Sequence, residues 1–183
     1  MKKIRLVITT VLLISVFFSS CAQPNKSSHN KKDIIEKNST DTSKYVIIKY
    51  DSSFLPWVFK NVSPATLSGS EIENIETILK KGIDNYNIKQ QEIFDKKYKP
   101  LPNNNFKLED FIIDIKKYYS HYVPVINEKG EKEVWINCFC DRSYYNDWKK
   151  EILVVMDGGN CHFNVIINLT TKTYYKLKVN GNA

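Results

Sequence analysis

The chain predicts an α+β domain, with one amphipathic helix covering one face of an antiparallel sheet whose strands crowd the C-terminal half. Three observations carry that prediction. Ile72, Ile75, Ile78, Leu79, Ile83 and Tyr86 recur at helical spacing. Beyond His121 apolar residues alternate instead, and turn residues separate the runs. Ahead of both, residues from Ala22 to about Lys44 carry almost no apolar side chains and cannot offset the entropy of their own ordering. The chain therefore divides into residues 1–20, a flexible tether over 21–44, and one domain over 45–183. About 140 residues suffice for a core of its own.

Tyr45 to Tyr50 reads as the first strand, and Phe54 to Phe59 as an apolar segment broken by Pro56. Ser68 with Glu71 three residues later makes a capping box, and Leu67 with Ile72 a hydrophobic staple, so the helix starts there. Gly82 ends or weakens it, with a polar helical continuation to about Lys97. Residues 99–105, with two prolines and three asparagines, form a loop. Leu108, Phe111, Ile112, Ile115 and Tyr119 fit a helix over Phe106–Tyr119, although Phe111, Ile113 and Ile115 alternate as a strand would.

The remainder predicts a meander of about four to five strands. His121–Ile126 and Glu133–Cys140 flank Asn127-Glu128-Lys129-Gly130, a turn with Asn first and Gly last. A three-residue loop with Gly130 left-handed sets His121 opposite Asn137, whereas a two-residue turn sets it opposite Cys138. Ile152–Met156 and Cys161–Asn168 flank Asp157-Gly158-Gly159-Asn160, a second hairpin signal. Phe163, Val165 and Ile167, then Tyr175, Leu177 and Val179, alternate with polar neighbours, which predicts one buried and one wet face. The order of strand, helix and meander is similar to the cystatin-like and NTF2-like layouts, an analogy that carries no function.

The first residues carry an address. Lys2, Lys3 and Arg5 precede an apolar run of 13 residues, Leu6 to Phe18, and Ser19-Ser20-Cys21 closes it with small residues. Spanning a bilayer takes about 20 residues, so the segment reads as an export signal. Phe18-Ser19-Ser20-Cys21 resembles the lipobox of bacterial lipoproteins, departing at Phe18, where leucine is usual. The resemblance implies cleavage before Cys21 and acylation of its sulfur, usually with its amine, which anchors the protein in a membrane. Ala22 resembles the pattern that sorts such proteins to the outer membrane where a cell has two. Ser20-Cys21-Ala22 also fits ordinary signal cleavage, which would release a soluble secreted protein. The stretch from Asp157–Cys161 to Asn180-Gly181 resembles uncharacterised exported bacterial proteins, which supplies no activity.

Removing residues 1–20 removes three of the 27 basic residues and none of the 20 acidic ones, leaving +4 rather than +7. The lysine pairs are scattered and read as solvated faces, which excludes a nucleic-acid stripe. Cys138, Cys140 and Cys161 remain beside Cys21, and export favours their oxidation. Cys161 would pair with Cys138 or Cys140, with Cys140–Cys161 the pair carried forward. In a simple meander, however, strand 152–156 stands between them and exceeds the bridging limit of roughly 7 Å. Cys138, Cys140, Cys161 and His162 are the ligand types of a zinc site, but they lack its spacing, and Cys161 and His162 point to opposite faces. A thiol enzyme would need His121 beside Cys138. There is no nucleophile elbow and no phosphate loop. Tyr144, Tyr145 and Trp148, on the loop from Arg142 to Lys150, are the expected partner surface. The sequence thus predicts a lipid-anchored envelope module that binds a protein or small molecule, with no metal, cofactor or catalytic residue. The alternatives are a thiol- or metal-dependent enzyme on Cys138, Cys140, Cys161 and His121, and a structural subunit of an envelope complex.

Overall fold

The computed structural model describes residues 42–53, 55–103, 105–143 and 147–181. The expected export signal, Cys21, most of the expected tether, Tyr144 and Tyr145 lie outside the described residues. Among the described residues, six strands form one mixed, mostly antiparallel sheet: β1 (Tyr45–Ile47), β2 (Ser63–Pro64), β3 (Tyr119–Ile126), β4 (Lys132–Phe139), β5 (His162–Asn168) and β6 (Thr173–Val179). One long helix, α1 (Gly69–Ile93), stands between β2 and β3 in sequence. The sheet order is β1-β3-β4-β5-β6, and β2 also pairs with β3.

The α+β class and the helix start agree with the sequence. Ser68 caps α1: its hydroxyl accepts from the Glu71 amide at 3.3 Å, and the Glu71 carboxylate accepts from the Ser68 amide at 2.8 Å. Ile72, Ile75, Ile78, Leu79 and Ile83 pack with Tyr122, Val134, Ile136, Cys138, Phe163, Val165 and Ile167 from β3, β4 and β5. Gly82 does not end the helix. It lies where α1 passes β6, since a Cβ there would stand 3.4 Å from the Tyr174 ring and 3.5 Å from Leu177. Beyond Ile93 the chain continues in a π-helical turn, Phe94–Tyr98.

The hairpin β3–β4 takes the three-residue loop. The Gly130 amide donates to the Asn127 carbonyl and the Asn127 amide to the Glu131 carbonyl, both at 2.9 Å, with Gly130 at φ +77°. The Asn127 side-chain oxygen also accepts from the amides of Lys129 and Glu131 at 3.0 Å. This closure sets His121 opposite Asn137 and Ser120 opposite Cys138.

Four expectations are corrected. The first strand is only Tyr45–Ile47 and runs parallel to β3, because the connection to its partner crosses over through α1. Phe106–Tyr119 forms no α-helix. It makes short 3-10 turns at Leu108–Asp110 and Ile115–Lys117, and between them the Ile113 amide and carbonyl both bond the Asn87 side chain at 2.8 Å. Those two backbone groups are thereby diverted from any helical ladder. Ile152–Met156 is not a strand of the sheet, and β4 pairs directly with β5. Finally, β3–β5 have no wet face. Opposite α1, Tyr50, Leu55, Val58 and Phe59 pack on Val123, Val125, Trp135 and Ile166, while Trp148 and Leu153 pack on Phe139.

Candidate functional site

Cys138, Cys140, Cys161, His121 and His162 all lie toward one end of the sheet, where β4 stops and β5 begins. Phe139 opposite His162 is the last ladder pair. One residue beyond it, the Cys140 amide donates to the Cys161 carbonyl at 2.9 Å, and the two cysteines are disulfide-bonded with Cα atoms 5.0 Å apart. The separation argued from a meander does not arise, because no strand intervenes between β4 and β5.

Between the two cysteines, the run Asp147–Asp157 lies over the sheet face opposite α1. Trp148 and Leu153 are buried there against Phe139, with Val46, Tyr119 and Val155 at the rim. Its backbone has no ladder partner, so side chains of the sheet end serve in its place. His121 Nε2 donates to the Trp148 carbonyl and Asn137 Nδ2 to the Leu153 carbonyl, both at 2.6 Å. Asn180 Nδ2 donates to the carbonyls of Val155 and Asp157 at 2.7 and 2.9 Å. Nearby, Asn160 Nδ2 reaches the carbonyls of Glu109 and Ile112 at 3.1 and 3.0 Å, and the Tyr118 hydroxyl donates to the Asn160 carbonyl. Sequence reasoning missed these asparagines. Asn137 alone left a signal, as an amide within the otherwise apolar run Val134–Phe139 of β4.

The ionisable groups are tuned by burial. His121 is 0 % exposed, packed between Phe139 and Trp148, and its Nδ1 has no partner. Burial pushes its pKa below the usual histidine value, with the Trp148 carbonyl pulling weakly the other way. The neutral ring carrying its proton on Nε2 fits this place, because a second proton would put an unmatched donor in the interior. Cys138 is buried on the α1 side of the sheet, its sulfur 3.3 Å from the Ser120 hydroxyl, and burial pushes the thiol up to about 12. His162 is also held low by burial, with Asp157 and Asp141 raising it in part. It packs against Gly158, whose φ is +90° and where a Cβ would stand 2.6 Å from the imidazole.

The geometry separates what a thiol enzyme needs together. His121 and Cys138 project from opposite faces of the sheet, since adjacent pairs in the ladder alternate. Two of the three thiols are consumed in the bridge. Among the described residues, no three His, Cys, Asp or Glu side chains are grouped to hold a metal ion. Trp148 is 5 % exposed and so is an interior residue rather than a contact surface. Lys149 Nζ lies 5.5 Å over its ring, and Lys44 and Arg142 lie 4.4 and 4.8 Å from the Tyr119 ring centre. The run instead presents Val154 and Met156 to solvent, at 44 % and 86 % exposure. A separate open groove of about 640 Å³ is lined by Ile47, Lys49, Pro64, Ala65, Thr66 and Leu67. Comparison with protein-family models, curated proteins and solved structures finds no match.

Proposed function

We propose that the protein is a lipid-anchored module of the bacterial cell envelope, held at Cys21 by acyl chains, and that it binds a partner without doing chemistry on it. The run Asp147–Asp157 carries this reading. A disulfide and four side-chain bonds fix its backbone, yet Val154 and Met156 face solvent, which is the form of a prearranged contact surface. The basic start, apolar run and small residues before Cys21 support the anchor, and the polar tether supports a domain held at a distance from the membrane. Ala22 supports the outer membrane as the destination in a cell with two. The order of strand, helix and antiparallel meander supports a cystatin-like or NTF2-like layout, which brings no activity with it.

Two experiments test the reading. Growth with labelled palmitate labels the wild-type chain, while Cys21→Ala loses both the label and the membrane fraction. A photo-crosslinker at Met156 captures the same partner in repeated preparations, and one at Ile88, exposed at 60 % on α1, does not. Equal capture from both positions would remove the run as the contact surface.

A further inference from the structure

We infer that the Cys140–Cys161 disulfide is a latch: a dithiol donor opens it, and the run Asp147–Asp157 then lifts from the sheet while the core against α1 stays folded. The bond joins residues 21 apart in sequence, and the run lies wholly within the loop it closes. The run and α1 lie on opposite faces of β3–β5, and the hydrophobic cluster around α1 takes in no residue of the run. The cluster under the run is small by comparison, with three buried members, Phe139, Trp148 and Leu153, and half-buried Ile152 adds one contact to the neighbouring cluster around Trp135. Its polar attachments are single side-chain bonds to carbonyls rather than a ladder, so each can break without unzipping a strand. Lifting the run uncovers His121 and Phe139, both 0 % exposed, and converts the fixed contact surface into an open one.

The exchange is balanced as follows. Cys140 is the more exposed partner, so a donor thiolate attacks its sulfur, forms a mixed disulfide and expels Cys161 as a thiolate. The donor's second thiolate then attacks the mixed bond and releases Cys140. Two electrons and two protons pass to the cysteine pair, and the donor leaves as its own disulfide. Cys138 takes no part, since it is buried against α1 and shielded there from a reagent in solution.

Cys138 therefore serves as an internal reporter of where the opening stops. The full chain is treated with dithiothreitol, alkylated with iodoacetamide without denaturant, and followed by hydrogen exchange. Whatever the state of Cys21, the latch predicts alkylation of Cys140 and Cys161 but not of Cys138, amides of 147–157 exchanging about tenfold faster or more, and unchanged protection in β3–β5. Alkylation of Cys138 with lost protection in β4 would mean that the bond holds the whole fold, which overturns the proposal. Alkylation of Cys140 and Cys161 with unchanged exchange at 147–157 would mean that the side-chain bonds suffice alone, which overturns it too. No alkylation of Cys140 or Cys161 after dithiothreitol would show that the bond is out of reach of a thiol.

Discussion

The two faces of β3–β5 are covered by different means. On one, α1 lays isoleucine and leucine side chains at helical spacing into a sheet of valine, isoleucine and phenylalanine. On the other, Tyr50, Leu55, Val58 and Phe59 cover the middle and the run Asp147–Asp157 the end, where it has no regular structure and rests on two buried side chains, a disulfide and a set of borrowed hydrogen bonds. Regular elements satisfy their own backbones and need only apolar burial to dock. An irregular segment brings unpaired carbonyls to the sheet, and each must find a donor or suffer desolvation. Here His121, Asn137 and Asn180 supply the donors, and another asparagine, Asn87, likewise holds Ile113. Polar side chains at core positions are thus the signature of an irregular cover.

That contrast can be broken by substitution. Phe163→Ala on the α1 side removes a ring 1 % exposed and packed edge-on against Tyr118, and should cost about 3–5 kcal/mol in urea unfolding of the whole domain. Asn87→Ala should cost about 1–3 kcal/mol, because it strands both an amide and a carbonyl of buried Ile113. Asn137→Ala should cost about 1–2 kcal/mol, read as faster exchange around Leu153 with α1 and its core unmoved. If it lowered protection equally on both faces, the division between them would be false. Ser68→Ala should remove about 1 kcal/mol at the start of α1 without effect on the run.

The smallest effect is a pH dependence confined to the run. His121 is held below its unfolded value of about 6.5, so the unfolded chain binds the proton more readily. Its stabilising contribution is complete above that value and is lost as pH falls through the lowered folded pKa. Protection of the amides at Trp148–Leu153, taken relative to the intrinsic exchange rate at each pH, should therefore fall as pH is lowered from about 7.5 to about 5.5. His121→Gln, which keeps a side-chain N–H but cannot titrate, should weaken that response. An unchanged response would assign it to His162, which burial shifts in the same direction.

The sequence was most legible where one local signal decides one local structure. Ser68 and Glu71 start α1, and Asn127 with Gly130 sets the register that places His121 opposite Asn137. It was least legible where tertiary partners decide. Ile152–Met156 is an unbroken apolar run ahead of a turn signal, but such a run fits a segment laid across a sheet, with Leu153 buried and Val154 exposed, as well as a strand within it. Phe106–Tyr119 has helical spacing, and only the distant Asn87 keeps Ile113 from using it. The disulfide was hidden for the same reason. Its geometry depends on strand order, which no spacing of Cys140 and Cys161 encodes.

The most direct test of the whole account is the intact mass of the membrane-extracted protein, alkylated in denaturant without reduction. The account predicts residues 21–183 carrying acyl chains and a single alkyl group, at Cys138, with Cys140 and Cys161 protected by their bond. A chain without acyl groups and with three alkylated cysteines would contradict both the anchor and the closed loop on which the contact surface rests.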